Sequence, residues 1–342
     1  MPGEIFDFIW FVNKAGYTLV DAALAGDSSG GIDDNGNSGN RGEGSAPGRL
    51  IAAKLSEGPG SYDMKQYNPL LEQKCLFRAF AETGMEPEDI IGFADEYGLM
   101  GFGRETAHAG SSPVYLRMEP LESWRNEIRA MRKALRIWDM VQDEDGRGLD
   151  AFLSPLMRWV EADMAAGEIS ANGVASRLLP KVDPGELRWY RSHPESLNMY
   201  RAGNLAGTAL LAVQAIANRC LERRISPRIL WDDRHLNGWS LYFVPNNLIG
   251  ALWLQLSQSI TQEKDYRRCR QCDTWFEIDH YTARTNRYFC SNACRSKAYR
   301  DRQARARELS EKGMDCNEIA GRLGSDMETV RRWVASAAAG KR

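Results

Sequence analysis

The sequence predicts an α+β body over residues 1–262, mostly helical with a small antiparallel sheet. A compact cysteine-bearing module (263–298) and a three-helix tail (299–338) are expected to follow it. Helical apolar periodicity dominates much of the stretch from 70 to 260, with only short alternating runs between. Four of the seven cysteines fall between 269 and 294. Charge is also unevenly shared. Residues 264–342 hold 18 Lys and Arg against 11 Asp and Glu, while the rest hold 26 against 35, so a net charge of −2 conceals an acidic body with a basic end. That asymmetry suggests a nucleic-acid contact at one end of the chain.

The elements are taken in chain order. Phe6–Val12 and Tyr17–Leu19 are aromatic and β-branched runs around Asn13-Lys14-Ala15-Gly16, the pattern of a β-hairpin. Residues 26–48 are nearly all Gly, Ser, Asn and Asp, too polar to bury a core, so a disordered loop is expected there. A strand resumes over Arg49–Lys54. Leu70–Phe80 and Pro87–Tyr97 read as a helix pair, the second with Pro87 in its first turn and Gly98 past its end. The clearest helix is Leu121–Val141, where Leu121, Trp124, Ile128, Met131, Leu135 and Trp138 recur every three or four residues on one core face. Asp143–Gly148 is a polar turn. Leu205, Ala209, Ala212, Val213, Ile216 and Cys220 form another buried stripe, in which Cys220, like Cys75 elsewhere, is a small hydrophobe. Arg228–Trp231 and Trp239–Val244 alternate around Asn237-Gly238, a favoured hairpin turn. Leu248–Ile260 closes the body as a helix capped by Asn246 or Asn247.

An odd number of cysteines, four of them at metal-type spacing, is not a disulfide framework. Cys269-Arg270-Gln271-Cys272 puts two thiolates on one side of a tight turn. Ser291 suits the cap of a helix beginning near Cys290, and the four-residue step to Cys294 returns to the same face. Convergent thiolates of Cys269, Cys272, Cys290 and Cys294 predict a structural Zn2+. Trp275-Phe276 and Tyr288-Phe289 supply an apolar plug beside it. Arg267, Arg268, Arg270, Arg295 and Lys297 would favour thiolates and phosphate contacts alike. From Arg268 to Arg300 the order knuckle, hairpin, knuckle, helix resembles treble-clef zinc fingers, above all the CGNR-type finger that closes many bacterial proteins and regulators. The match departs where Arg295-Ser296-Lys297 replaces the family's Gly-Asn-Arg. HNH nucleases share the treble clef, and Asp279-His280 lies where they carry a base histidine. They also need a second metal with a ligand on the following helix. No histidine follows His280, and Asn286 precedes Cys290.

Tyr299–Leu309 continues helically, with Arg300, Arg302, Arg305 and Arg307 spread around it and Gly313 suited to a left-handed cap. Cys316–Trp333 resembles the helix-turn-helix of bacterial repressors and homeodomain-like domains. Ile319 and Leu323 would pack its first helix, Ala320 is small at the crossing, Gly324 makes the turn, and Val330 and Trp333 anchor the second helix. Residues expected to face duplex DNA are Arg295, Lys297, Arg300, Arg302, Arg305, Arg322, Thr329, Arg331 and Arg332. Asp326 and Glu328 are awkward neighbours there, although Ser325-x-x-Glu328 reads as a capping box that would fold the glutamate back.

No apolar run reaches the roughly 18 residues of a membrane span. Met1–Asp21 has no basic segment and is interrupted by Asp7, Asn13 and Lys14, unlike a signal peptide, so a cytoplasmic protein is expected. With four histidines and no nucleophile elbow, phosphate loop or dinucleotide fingerprint, no enzyme is expected. The expected function is a zinc-containing DNA-binding protein, a transcriptional regulator whose body senses or dimerises. Its partners would be double-stranded DNA and, if a homodimer forms, a second copy of the chain. The alternative is a protein-interaction adaptor in a transcription or mobile-element complex; an HNH-like nuclease ranks below both.

Overall fold

The computed structural model describes residues 8–21, 48–54, 63–102, 107–109, 112–114, 118–143, 146–165, 192–231, 238–262, 264–278 and 287–339. The loop expected over 26–48 lies outside the described residues except at Gly48, as do Asn237, Asp279, His280, Asn286 and the side chain of His108. The chain divides into two compact units, Met1–Gln262 and Glu263–Arg342. No helix among the described residues is long and apolar enough to cross a membrane.

The first unit opens with strands β1 (Trp10–Asn13), β2 (Tyr17–Asp21), β3 (Arg49–Ala53) and β4 (Met64–Tyr67). The hairpin expected from the first two does not form. β1 pairs antiparallel with β4, whereas β2 pairs antiparallel with β3. Asn13 explains the divergence. It is buried, and its amide group donates to Gly16 O (3.0 Å) and to Lys54 O (2.7 Å), so the corner is closed by a side chain instead of a ladder. Gly16, at φ +79, completes the tight turn by donating to Asn13 O.

Helices α1 (Pro69–Glu72), α2 (Leu76–Glu82) and α3 (Pro87–Tyr97) follow, then short strands β5 (Ala107–Ala109), β6 (Ser112–Val114) and β7 (Met118–Pro120). β7 joins β3 to complete a three-stranded sheet, and β5 pairs with β6. Gly98 ends α3 at φ +89, where a Cβ would stand 2.4 Å from Phe11 O. Helices α4 (Leu121–Gln142), α5 (Arg147–Ala165), α6 (Pro194–Arg201) and α7 (Leu205–Leu221) carry most of the remaining core. All six apolar stripe residues of α4 are buried. Its Trp124 ring meets Phe80 and Phe93 at 6.2 Å each, and α4 packs on α2 and α7. Each such large side chain contributes about 2–3 kcal/mol by leaving water. A final hairpin, β8 (Ile225–Trp231) with β9 (Trp239–Pro245), leads into α8 (Leu248–Thr261). Asn247 caps α8 by accepting from Gly250 N at 2.9 Å. In place of one sheet, the described residues of this unit form four small antiparallel ones.

The helix expected over 70–80 is broken between α1 and α2, and α8 supplies the reason. Gln255 Nε2 donates to Pro69 O and Gln73 O, both at 2.9 Å, while Gln255 Oε1 accepts from Phe77 N at 3.2 Å. One buried amide thus gives each carbonyl a second donor, beside Gln73 N and Leu76 N, and gives Phe77 N an acceptor at the break. Glu119 in β7 plays a similar part. Its carboxylate accepts from Met100 N, Gly101 N, Phe102 N and Trp124 Nε1 at 2.5–3.0 Å. Burial pushes that carboxyl above the ordinary range, and the four donors oppose the shift.

The second unit holds an antiparallel pair, β10 (Asp265–Arg268) and β11 (Trp275–Ile278), then helices α9 (Asn292–Glu311), α10 (Cys316–Leu323) and α11 (Met327–Ala339). α9 is a single 20-residue helix that runs through the 298/299 boundary expected between the two C-terminal modules. It ends at Gly313 (φ +85), where Gly313 N donates to Ser310 O and Met314 N to Leu309 O, the paired bonds of a left-handed cap. Ala306, Leu309, Ile319, Ala320, Val330 and Trp333 make the core of the three helices, with Leu323 half-buried beside it. Gly324 turns the chain in the left-handed conformation, φ +56. The expected cap at Ser325 is displaced by one residue: Asp326 Oδ1 accepts from Thr329 N at 2.7 Å, so Asp326 caps α11 and no Ser325–Glu328 box is needed.

Candidate metal centre

The CxxC turn lies at the tip of the β10–β11 hairpin, where Cys269 N donates to Thr274 O and Asp273 N to Cys269 O. The separate hairpin expected between the two cysteine pairs is represented among the described residues by β11 alone. The second pair sits at the start of α9, where Ser291 caps the helix by accepting from Cys294 N at 3.2 Å. Arg270 N donates to Tyr288 O at 3.0 Å and holds the two halves together. The result brings the sulfurs of Cys269, Cys272, Cys290 and Cys294 within 4.8 Å of one another.

The spacing tests what such a group can hold. Cys272 and Cys290 sulfurs are 3.6 Å apart, and those of Cys290 and Cys294 3.5 Å. A disulfide needs about 2.05 Å. Four sulfurs around one tetrahedral cation at about 2.3 Å lie about 3.8 Å apart, close to what is seen. Two of the thiols are lowered in pKa and one is raised. Burial pushes the Cys269 thiol up, yet N–H donors from Cys290, Cys272 and Gln271 outweigh it and bring it down to about 6. The Thr274 hydroxyl, 3.0 Å from its sulfur, lowers Cys272. Cys290 is pushed up to about 12, first by burial and then by the neighbouring sulfurs. Thiolates crowd one another here, and a bound cation would remove that conflict.

Around the sulfurs, Phe276 and Ile278 are buried and Phe289 partly so. Trp275 is half-buried and Tyr288 exposed, so neither is a buried plug, and arginines lie over both rings. Arg270 lies 3.8 Å over the Tyr288 ring and Arg268 4.9 Å over Trp275, while Arg287 lies 5.1 Å over Phe276. Sequence reading missed two ties. Gln271 Nε2 donates to Asp301 Oδ2 at 2.9 Å and joins the CxxC turn to the middle of α9. Trp333 Nε1 donates to Tyr299 OH at 2.7 Å with the rings edge to face, joining α9 to α11. An aromatic pair and an amide–carboxylate pair far apart in sequence carry no local signal.

The nine basic and polar positions singled out for DNA fall on three helices. Arg295, Lys297, Arg300, Arg302 and Arg305 are exposed on α9, yet at 3.6 residues per turn they do not share a face. Arg302 and Arg295 lie along the line of Ala306, whereas Lys297 and Arg300 lie opposite. Arg305 pairs with Glu308. Arg322 is exposed at the end of α10. On α11, buried Val330 and Trp333 turn Met327, Glu328, Arg331 and Arg332 outward together, while Thr329 is half-buried and accepts from Arg332 at 3.0 Å. Cys316 packs against the three-helix core, apart from the sulfur cluster. Compared with known proteins, the chain matches no family model, no curated protein and no solved structure.

Proposed function

We propose that residues 264–342 are a zinc-bound DNA-binding module and that the chain is a transcriptional regulator. The observation that carries this reading is the double duty of α9, which begins inside the four-sulfur cluster and ends as the first helix of the three-helix core. Zinc is the ion of choice for a closed all-thiolate set. A turn-borne cysteine pair facing a helix-borne pair supports a treble clef. The order α10, tight Gly324 turn and α11 supports a helix-turn-helix, which would lay α11 in the major groove with its early outward residues against base edges. Arg331 and Arg332 are then assigned to bases or phosphates, Thr329 to orienting Arg332, and Arg322 with the α9 arginines and Lys297 to the backbone. Asp326 is occupied as a cap, and Glu328 can accept from cytosine N4.

Fluorescence anisotropy of the full, metal-loaded chain on a duplex tests this. Affinity should fall steeply between about 50 and 200 mM salt. Arg331→Glu with Arg332→Glu should weaken binding at least tenfold, on the order of the loss expected for groove and phosphate contacts. Absence of binding at low salt refutes the reading. Binding that ignores the charge reversal instead favours a protein-interaction adaptor, a reading that Glu328 on the outward face of α11 supports.

A further inference from the structure

The β8–β9 hairpin presents an apolar face to solvent. Register places Trp231 opposite Trp239, Ile229 opposite Leu241 and Pro227 opposite Phe243. Directly opposed residues point to the same side of an antiparallel pair, so all six lie on one face. Ile229 is 70 % exposed, Trp231 64 %, Trp239 and Leu241 61 % each, and Phe243 59 %. Ser226, Arg228 and Ser240 lie on the other face with Leu230, Tyr242 and Val244, where most residues are half-buried. This inverts the pattern of a hairpin that folds alone in water, and an isolated two-stranded hairpin is marginal at best. The hairpin is tied at its base, where Asn246 N donates to Arg224 O, its amide to Arg223 O, and Ser226 Oγ to Asn246 Oδ1.

We propose that this face is a homodimer interface in which two copies pack their hairpins face to face about a two-fold axis. Area is the first reason. At these exposures the five large side chains offer roughly 600–700 Å² per copy, so a pair would bury on the order of 1,200–1,400 Å², within the range of specific interfaces. The second is self-complementarity. A two-fold contact sets a patch against its own copy, and the described residues of this face carry no charged side chain to repel their counterparts. The third is charge. The body to which the hairpin belongs, over residues 1–263, holds 26 Lys and Arg against 35 Asp and Glu, which disfavours an anionic lipid surface or a nucleic acid as the occupant. The proposal stands independently of DNA binding by residues 264–342.

Sedimentation velocity of the full, metal-loaded chain from about 1 to 100 µM reads the outcome directly. The native chain should move from monomer to dimer in that range. Ile229→Arg with Leu241→Arg should raise the dissociation constant roughly 100-fold or more, with circular dichroism and metal content unchanged. Hydrogen exchange of the native chain gives a reading without substitution, independent of whether two arginines unfold the hairpin. Amides of 225–231 and 239–245 should exchange more slowly as concentration rises. A native chain monomeric at 100 µM overturns the proposal, whether it stays alone or co-sediments with phosphatidylcholine vesicles. So does a folded double variant that still dimerises, or exchange that is independent of concentration.

Discussion

Glu119 and Asp326 are carboxylates with opposite surroundings, and their substitution should separate buried from exposed hydrogen bonding. Glu119→Ala would strand four donors, the N–H groups of residues 100–102 and the Trp124 indole, and should cost about 3 kcal/mol or more as a drop in denaturant midpoint. Asp326 is exposed, and the Thr329 hydroxyl and N–H hold its carboxyl below the usual range. A carboxylate lowered by folding stabilises the native state above its unfolded pKa, and that benefit fades as pH falls through the lowered value. Asp326→Ala should therefore melt below the native chain at neutral pH and alike in strong acid, while Ser325→Ala leaves melting unchanged. Cys269→Ser should abolish stoichiometric metal, measured by atomic emission, together with the ordered start of α9. The four sulfurs were legible from spacing alone, and Ser291 from cap chemistry; the Gln271–Asp301 tie was not, since nothing local marks it.

Among elements, those stabilised by their own pattern were legible and those decided by distant partners were not. The stripes of α4 and α7 and the β8–β9 pairing follow from periodicity within each segment. The β1–β2 corner depends on Lys54 meeting Asn13, and the gap between α1 and α2 depends on Gln255 from α8. α5 escaped sequence reading because it contains Pro155, a residue that argues against a helix interior. Gln255→Leu should cost about 1–2 kcal/mol, since the N–H of Phe77 loses the Gln255 acceptor while the carbonyls of Pro69 and Gln73 keep only their backbone donors, Gln73 N and Leu76 N. Chemical denaturation of the full chain measures it.

For the whole molecule, division into two compact units at residue 262 predicts two responses to a chelator. Metal removal should abolish the melting transition of residues 263–342 and leave that of the body in place, seen by calorimetry of the full chain. Charge is divided in the same way, so if residues 264–342 bind DNA as proposed, raising salt should weaken that association. The uninterrupted α9 makes the two ends of the second unit subject to helical phase. Each residue advances a helix by about 1.5 Å and turns it by about 100°. An alanine inserted between Ala298 and Tyr299 would rotate the Tyr299–Trp333 lock away from the sulfur cluster's direction. Four inserted alanines would nearly restore the angle while lengthening the shaft by about 6 Å. Activity that returned with four residues but not with one would mark the metal as a phase reference for everything downstream of it.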